Sequence, residues 1–389
     1  MSEFRTIREL CSVVVDCPHS TPKWTANGKI VIRNKNIKHG KIDFSSPSYT
    51  DDEHFAQRIK RAKPQPGDII ITREAPIGDV GMIPENTECC LGQRMVLLRA
   101  NQSVCDNFYL LYSLQSLYVQ HQISWSEGTG TTVSNLRIPH LEQIQIPYLP
   151  LEQQAKISSV LRALEEKIEN NRRLNDNLQQ QAFSVFDNLI ANAENNDYTV
   201  SDYAFLNPKR TLAKNQVARS IDMSQLSTSG AFPSGWEMKP FNGGMRFTNG
   251  DTLLARITPC LENGKTAFID FLDDGEVAFG STEYIVLAPK NGTPPEMLYC
   301  LARYPAFVDY AVKNMNGSSG RQRVSAETVG QYRLPLFDKH SLVLFKEVVS
   351  PMFLKMRYNS LENIRLSELR DALLPKLMSG EIDVSAVQL

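Results

Sequence analysis

The chain has 389 residues, of which 42% are hydrophobic and 22% charged, and its formal net charge is −1. This length exceeds what one core of ordinary size supports, so we expect at least two domains. No apolar run approaches the roughly 18 residues of a membrane span, and the first ten residues lack the apolar core of a signal peptide. Seven irregularly spaced cysteines argue against a disulfide framework, so the sequence predicts a cytoplasmic protein with no membrane segment.

The first distinctive segment, from Cys17 to Ile42, contains six basic residues and no acidic one. Lysine and arginine side chains neutralise phosphate groups, so Arg33, Lys35 and Lys38 are candidate contacts to a nucleic-acid backbone. Charge runs are also common on solvated surfaces, which is the alternative interpretation of this segment. The near-zero net charge of the whole chain gives no independent support for nucleic-acid binding.

A long internal repeat follows. The fragment GDIIITREAPIGDVG, from Gly67 to Gly81, aligns with GDTLLARITPCLENG, from Gly250 to Gly264. Five pairs of identical residues, one of which is Arg73 and Arg256, are each separated by 183 positions. A period this long predicts a duplicated domain, and each copy predicts strands after a Gly-Asp turn and then a helical stretch.

Each copy then continues into a polar loop rich in Gly, Ser and Thr, from Glu127 to Ser134 in the first copy and from Asn316 to Ser325 in the second. The hydroxyl, amide and guanidinium groups of such loops are suited to contact a polar ligand. A purely structural turn is the alternative interpretation.

Two long helical patterns follow the two copies, and their hydrophobic positions alternate in steps of four and three, which is typical of a coiled coil. Shifting ten seam positions of the first pattern by 188 residues gives ten seam positions of the second. The two sets are Ile157, Leu161, Leu164, Ile168, Asn171, Asn175, Leu178, Ala182, Val185 and Leu189, and Phe345, Val349, Met352, Met356, Asn359, Asn363, Leu366, Arg370, Leu373 and Leu377.

Each seam has two asparagines at its midpoint. A buried asparagine costs stability but specifies register when it faces another polar side chain. In an antiparallel pair Asn171 lies level with Asn363, and Asn175 lies level with Asn359. These four residues are therefore the predicted register positions of the coiled coil.

Connectivity favours the antiparallel orientation. The globular second repeat joins the end of the first helix to the start of the second, and parallel helices of roughly 33 residues would separate those ends by about 50 Å. Pro351 and Pro375 predict that the second helix starts late, kinks or ends early, because proline removes a backbone donor and clashes with the preceding turn.

The sequence contains no recognisable catalytic constellation. The segment from Gly264 to Thr266 resembles a phosphate-binding loop, but Pro259 stands where that motif requires its first glycine. No G-x-G-x-x-G, G-x-S-x-G, H-E-x-x-H or C-x-x-C pattern occurs, and the six histidines have no ligand spacing. The sequence therefore predicts no catalytic residue and no metal site.

Two segments resemble a known family. IPYLPLEQQAKISSVLRALEEKIENNRRLNDNL, from Ile146 to Leu178, resembles the first conserved region of type I restriction-modification specificity subunits, and LRDALLPKLMSGEI, from Leu369 to Ile382, resembles the close of the second. Together with the duplication, the resemblance covers essentially the whole chain. One departure is the second junction, LPLFDKHSLVLFKEVVSPM, which lacks the usual Pro-Leu-Glu-Glu-Gln run.

The resemblance implies an α+β fold with pseudo-two-fold symmetry, in which two long helices forming an antiparallel coiled coil separate two similar target-recognition domains of mixed β-sheet and short helices. The expected boundaries are recognition domain 1 at 1–150, helix 1 at 151–195, recognition domain 2 at 196–338 and helix 2 at 339–389.

The family implies a non-catalytic subunit that binds a bipartite, asymmetric site in double-stranded DNA, with the coiled coil setting the gap. The implied partners are two methyltransferase subunits and, optionally, restriction or translocase subunits. S-adenosylmethionine would belong to the methyltransferase, so no cofactor is expected in this chain. A coiled-coil adaptor that binds proteins without DNA readout is the alternative.

Under this interpretation, arginine, glutamine, serine and threonine side chains are candidates to contact base edges. Arg73 and Arg256 occur in both copies, so they are candidates for either DNA contact or a structural role. The remaining predicted DNA-binding residues are Gln93, Arg94, Thr129, Thr131, Thr132, Ser281, Thr282, Ser318, Ser319, Arg321, Gln322 and Arg323, beside Arg33, Lys35 and Lys38.

Overall fold

The computed structural model describes residues 3–38, 40–125, 135–193, 197–318 and 320–387. The chain divides into two compact units, of which unit 1 comprises residues 1–165 with 368–389 and unit 2 comprises residues 166–367. Within the described residues, no helix combines the length and apolar character that crossing a membrane requires.

Unit 1 alternates short strands with short helices and contributes the first part of a long helix, α6. Its strands are β1 (Glu3–Thr6), β2 (Cys11–Asp16), β3 (Lys29–Ile32), β4 (Ile37–Lys38), β5 (Lys41–Ile42), β6 (Ser48–Thr50), β7 (Ile69–Thr72), β8 (Val80–Met82), β9 (Cys89–Leu91), β10 (Met95–Ala100) and β11 (Gln145–Tyr148). Its helices are α1 (Ile7–Leu10), α2 (Asp52–Arg58), α3 (Asn107–Gln115), α4 (Leu117–Trp125), α5 (Ile138–Gln143) and α6 (Leu151–Ala191).

Unit 1 is built on a four-stranded antiparallel sheet with the strand order β2-β10-β7-β8, next to a smaller sheet, β6-β3-β9, in which β3 and β9 run parallel. All four residues of β7 are buried. Because side chains alternate across a strand, Ile69 and Ile71 join the core formed with α3 and α4, whereas Ile70 joins the core formed with the smaller sheet. A strand covered on both faces needs a continuous apolar run, which the repeat provides.

Unit 2 follows the same plan. Its strands are β12 (Tyr198–Thr199), β13 (Ala204–Leu206), β14 (Val217–Ile221), β15 (Glu237–Pro240), β16 (Met245–Phe247), β17 (Thr252–Ala255), β18 (Thr266–Phe268), β19 (Ala278–Gly280), β20 (Tyr284–Pro289) and β21 (Arg333–Leu334). Its helices are α7 (Val200–Tyr203), α8 (Pro295–Arg303), α9 (Pro305–Lys313), α10 (Ala326–Gly330) and α11 (Lys339–Met378), the last of which continues into unit 1.

The main sheet of unit 2 has the order β13-β20-β17-β18, which matches β2-β10-β7-β8 element for element. Its second sheet, β15-β14-β19-β16, again contains one parallel pair, β14 with β19. Leu254 of β17 lies in the core with the helices, whereas Leu253 lies in the core with the second sheet. The predicted duplication and the mixed α+β fold are therefore confirmed.

The long helices α6 and α11 pack together and run antiparallel, as predicted. Within unit 2, the Asn171 Nδ2 donates to Asn363 Oδ1 at 3.0 Å, and the Asn359 Nδ2 donates to Asn175 Oδ1 at 2.8 Å. Residue numbers increase along α6 from Asn171 to Asn175, whereas those of their partners on α11 decrease from Asn363 to Asn359. The two helices therefore run antiparallel. None of the twenty predicted seam positions is exposed.

The two prolines do not interrupt α11, which runs without a break from Lys339 to Met378. The expectation that they would delay the start of the helix or end it early was therefore wrong, whereas the kink stays a prediction. Pro351 and Pro375 are both exposed, as is Glu347, whose carbonyl loses its helical donor at Pro351. On this solvated side, water can satisfy the freed carbonyl, so the helix continues.

Candidate nucleic-acid interface

Three loops of unit 1 meet at one edge of its main sheet, and we call this surface loop face 1. The loops comprise residues 73–78, 92–94 and 135–137. The backbone N–H of Arg73 donates to the Arg94 carbonyl at 2.8 Å, and the N–H of Leu136 donates to the Arg73 carbonyl at 3.0 Å. Arg73 therefore lies at the centre of this loop face and holds the other two loops through its main chain.

The side chain of Arg73 is fully engaged by the protein. Its Nη1 donates to both carboxylate oxygens of Asp16 at 2.9 and 3.0 Å, its Nε donates to the Leu136 carbonyl at 2.9 Å, and its Nη2 donates to Asn135 Oδ1 at 3.2 Å. Only 12% of the side chain is exposed. Arg73 therefore positions β2 and the segment before α5, and a direct contact to DNA stays a prediction.

The neighbouring candidates Gln93 and Arg94 differ in exposure. Gln93 is half-buried and its Nε2 donates to the carbonyl of His19, whereas Arg94 is exposed and its Nε lies 3.3 Å from a carboxylate oxygen of Glu74. A surface ion pair of this kind contributes little free energy, so Arg94 can exchange the carboxylate for a ligand.

The basic segment borders the same loop face. The Gly92 N–H donates to the Ile32 carbonyl at 2.8 Å, and a Cβ at Gly92 would lie 2.7 Å from that oxygen, so only glycine permits this approach. Arg33, directly after β3, is thereby placed beside the 92–94 loop. Lys35 donates from its Nζ to Ser46 Oγ at 3.0 Å, and the side chain of Lys38 is exposed.

Unit 2 has an equivalent surface, loop face 2, formed by residues 256–260, 281–283, 316–318 and 320–323. The N–H of Arg256 donates to the Glu283 carbonyl at 3.0 Å, and the N–H of Val324 donates to the Arg256 carbonyl at 3.0 Å. These are the bonds that Arg73 makes with Arg94 and Leu136. The repeated arginine thus has the same main-chain role in both units.

Glu283 organises the charges of loop face 2. The Arg323 Nε and Nη2 donate to its carboxylate at 2.7 to 3.0 Å, and the Arg256 Nε lies 3.7 Å from it. The hydrogen bonds from Arg323 hold the pKa of Glu283 below its ordinary value, so the carboxylate stays ionised. Arg323 is therefore neutralised within the protein.

The remaining candidates of loop face 2 lie at its surface. Arg321, Ser318 and Thr282 are exposed, and the Arg321 N–H donates to the Ser318 carbonyl at 3.0 Å in a turn. The Arg321 guanidinium makes no hydrogen bond or ion pair with any residue in the described part of the chain. Gln322 is half-buried, and the Ser281 Oγ accepts from the Glu283 N–H at 3.1 Å. Thr129, Thr131, Thr132 and Ser319 lie outside the described residues.

Equivalent positions of the two loop faces carry different chemistry. Arg94 in loop face 1 corresponds to Glu283 in loop face 2, because each offers its carbonyl to the repeated arginine. Asn135 corresponds to Arg323, since each directly precedes the residue that donates back to that arginine. The shared main-chain frame therefore presents a different set of donors and acceptors in each unit.

Reasoning from the sequence singled out Ser281 to Glu283, but it did not identify Asp16, Asn135 or Trp24 as residues at or beside these surfaces. Asp16 was missed because a carboxylate that organises donors has no local motif. Asn135 was detectable, because it lies 188 positions before Arg323, the offset that relates the two strands preceding the long helices. Within the described ranges, no group of three or more His, Cys, Asp or Glu side chains is arranged to hold a metal ion.

Comparison with known families assigns the first part of the chain. Residues 3–180 match the family model described as type I restriction modification DNA specificity domain. A protein named as the MjaIX specificity subunit of a type I restriction enzyme from Methanocaldococcus jannaschii is 22% identical over 373 residues, covering 82% of this chain and 78% of that protein. One named as the MjaX specificity subunit, from the same organism, is 30% identical over 123 residues, covering 32% of this chain and 28% of that protein.

A solved structure shows the same fold. The crystal structure of the type I restriction-modification system S subunit from M. genitalium matches with a TM-score of 0.59 at 19% sequence identity, covering 97% of this chain and 96% of that chain. The fold predicted from the sequence is therefore that of a known S subunit.

Proposed function

We propose that this chain is a type I restriction-modification specificity subunit, because residues 3–180 match the DNA specificity domain of that family and the fold is that of a known S subunit. As such it is a non-catalytic subunit that binds a bipartite, asymmetric site in double-stranded DNA. Unit 1 contacts one half-site through loop face 1, and unit 2 contacts the other through loop face 2. The observation that carries this proposal is the repeated arginine, Arg73 and Arg256, which organises the same loops in both units amid different neighbours. A duplicated frame with divergent side chains is suited to two half-sites of different sequence.

The roles of individual residues follow from their exposure and charge. Arg321 and Arg94 are the strongest candidates for base contacts, because both guanidinium groups are exposed. Lys35 and Lys38 are proposed to contact phosphates, which position a duplex without carrying sequence information. Arg73, Arg256 and Arg323 hold the loops through ion pairs with Asp16 and Glu283, so their contribution to DNA binding is indirect.

The helices α6 and α11 are proposed to set the gap between the half-sites. Two-fold DNA-binding proteins place half-site centres about one helical turn, roughly 34 Å, or a multiple of it apart. The partly buried hydrogen bonds between Asn171 and Asn363 and between Asn175 and Asn359 support this role, because a polar layer resists slippage of one helix along the other.

Two methyltransferase subunits are the proposed protein partners, with restriction or translocase subunits as optional additions. S-adenosylmethionine would be held by the methyltransferase. The seven cysteines are unpaired, which suits a reducing cytoplasm, and that location remains a prediction.

A groove in unit 2 is the proposed contact for one methyltransferase subunit. It has a volume of about 620 Å³, lies between the end of α6 and the start of α11, and exposes Leu344 by 47% and Val348 by 48%. At the corresponding place in unit 1, where Lys156 replaces Leu344, the chain covers itself: the Lys156 Nζ donates to the Ser385 carbonyl at 2.9 Å, and Val384 is 4% exposed. The corresponding place is covered by the chain itself in unit 1, whereas the apolar side chains of unit 2 are exposed. An exposed apolar surface of this kind is suited to contact another protein.

Salt-dependent binding distinguishes the DNA-specificity function from that of a protein adaptor. We expect the complex of this chain with its methyltransferase to retain a specific duplex selected from a randomised library, with an affinity that falls steeply as salt rises. An assembled complex that binds every duplex equally, or that shows no salt dependence, would support the adaptor.

A further inference from the structure

The structure places an exposed aromatic side chain against Arg33, a basic residue that borders loop face 1. Trp24 is 45% exposed, and the Arg33 Cζ lies 5.0 Å from the centroid of its ring. This is within the distance at which a guanidinium is attracted to the face of an indole. The two side chains line an open cavity of about 320 Å³ with Ser48 and Tyr49.

The backbone on both sides of this pair is fixed. The Arg33 N–H donates to Asn36 Oδ1 at 3.0 Å, which closes the turn after β3, and the Thr25 N–H, next to Trp24, donates to the Tyr49 carbonyl at 3.1 Å. The Asn34 Nδ2 donates to the Glu74 carbonyl at 2.5 Å, which ties the same turn to the loop that begins at Arg73. The Trp24–Arg33 pair is therefore held at the edge of loop face 1.

Arg33, which borders loop face 1, resembles Arg321 and differs from Arg73, Arg94 and Arg323 in that its charge is not paired with a carboxylate. Arg73 is paired with Asp16, Arg94 lies near Glu74 and Arg323 is paired with Glu283. In the described part of the chain, no carboxylate forms an ion pair with Arg33. An indole face orients a guanidinium without occupying its N–H groups, so the planar donor fork remains available for a ligand.

The ligand that matches such a fork in the major groove is guanine, which presents two acceptors, N7 and O6, to one arginine. We propose that Arg33 contacts a guanine in the half-site of unit 1, and that Trp24 is the positioning residue that orients it. This inference rests on the proposed function and changes the role of Arg33 from a phosphate contact to a base contact.

The same contact is not available to unit 2. Asp222 stands where unit 1 has Arg33: it follows β14 as Arg33 follows β3, and its N–H donates to Gln225 Oε1 as that of Arg33 donates to Asn36. Asp222 is paired with Lys239 at 2.9 Å. The guanine contact therefore belongs to one half-site alone, which contributes to the asymmetry of the target.

Sequencing the methylated sites of cells that express this chain with its partner methyltransferase tests the inference. We expect Arg33→Lys to lower the preference for guanine at one position of the unit 1 half-site by roughly tenfold to a hundredfold, because lysine offers no planar fork. Trp24→Ala should weaken the same preference, and Trp24→Phe should restore most of it. Arg5→Lys is the matched control. Arg5 lies on β1, and its Cζ is 3.6 Å from the centroid of the Tyr148 ring, so it also stacks on an aromatic side chain. This substitution should leave the methylation motif unchanged.

The outcomes separate the inference from the proposed function. A wild-type motif without two half-sites would overturn the proposed function itself. If the wild-type motif is bipartite but Arg33→Lys lowers methylation of all sites equally, Arg33 contacts a phosphate and the inference is wrong. It is equally wrong if the unit 1 half-site contains no guanine, or if Trp24→Ala leaves every position unchanged.

Discussion

Asn359 and Asn175, on two helices that are far apart in sequence, share a partly buried hydrogen bond: the Asn359 Nδ2 donates to Asn175 Oδ1 at 2.8 Å, and Asn359 is 1% exposed. Asn175 also donates from its Nδ2 to the Ser360 Oγ at 3.1 Å. The polar layer is thus satisfied by side chains from both helices. A shift of one helix by a turn would leave these groups buried and unpaired, which is costly.

We expect Asn359→Leu to destabilise the protein by about 1–3 kcal/mol, because it leaves the Asn175 carbonyl oxygen without its donor. The double variant Asn175→Leu with Asn359→Leu should recover most of that loss, since an apolar pair needs no partner. Urea unfolding of the two single variants and the double variant measures the coupling. Asn170→Leu, at an exposed position of α6, is the control. Additive losses in the double variant would show that the two asparagines do not act together.

Arg321 and Lys35 are expected to differ in how their loss affects DNA recognition. Arg321→Ala should relax the sequence preference at one position of a half-site by about 1–3 kcal/mol, because its exposed guanidinium is proposed to contact a base. Lys35→Ala should weaken binding to all sequences alike and reduce the salt dependence by about one phosphate contact. Methylation of a randomised site library by the assembled complex measures both effects. Equal losses on every sequence for Arg321→Ala would exclude its contact to a base.

The sequence was sufficient to predict the fold because its signals are long and repeated. The 183-residue repeat around Arg73 and Arg256 and the heptad pattern of the helices each involve many residues, so local exceptions such as Pro351 do not obscure them. The interruption expected at Pro351 does not occur, because the carbonyl that the proline frees lies on the solvated side of the helix, where water can satisfy it.

The candidate site was less predictable, because its organisation depends on pairs that are distant in sequence. Arg73 meets Asp16 across 57 positions, and Arg323 meets Glu283 across 40 positions. From the sequence alone, either arginine is a reasonable candidate for a DNA contact. Only the structure shows that its guanidinium is paired with a carboxylate of the protein. Trp24 became informative only when the fold placed its ring against Arg33.

We expect the contribution of Glu283 to the stability of unit 2 to decrease at acid pH. Its pKa is lowered in the folded protein by the hydrogen bonds from Arg323, so the stabilisation is fully present above the ordinary value of 4.5 and is lost as pH falls through the lowered value. The difference in thermal stability between the wild-type protein and Glu283→Gln should therefore be constant near neutral pH and shrink below about pH 4.5. Calorimetry between pH 7 and pH 3 measures it. A difference that is independent of pH over this range would show that the carboxylate charge is not responsible.

The apolar groove of unit 2 predicts a loss of partner binding on charge insertion. Leu344→Lys introduces the residue type that unit 1 has at the corresponding position, Lys156. The substitution should weaken association with the methyltransferase about tenfold or more, because the groove is proposed to bury an apolar partner surface. Leu354→Lys, at a 42% exposed position further along α11, is the matched control and should have little effect. Sedimentation of the purified mixtures measures the association. Equal effects of the two substitutions would place the partner elsewhere.

The most direct test of the whole account is to sequence the methylated bases of cells that express this chain with its methyltransferase, for the wild type and for a variant with seven residues added to both α6 and α11. We expect the wild type to give a methylation motif of two different half-sites. One added heptad lengthens each helix by about 10 Å, so the variant should methylate the same half-sites with a gap longer by about three base pairs. A single contiguous motif, or a gap that does not change with the helices, would contradict it.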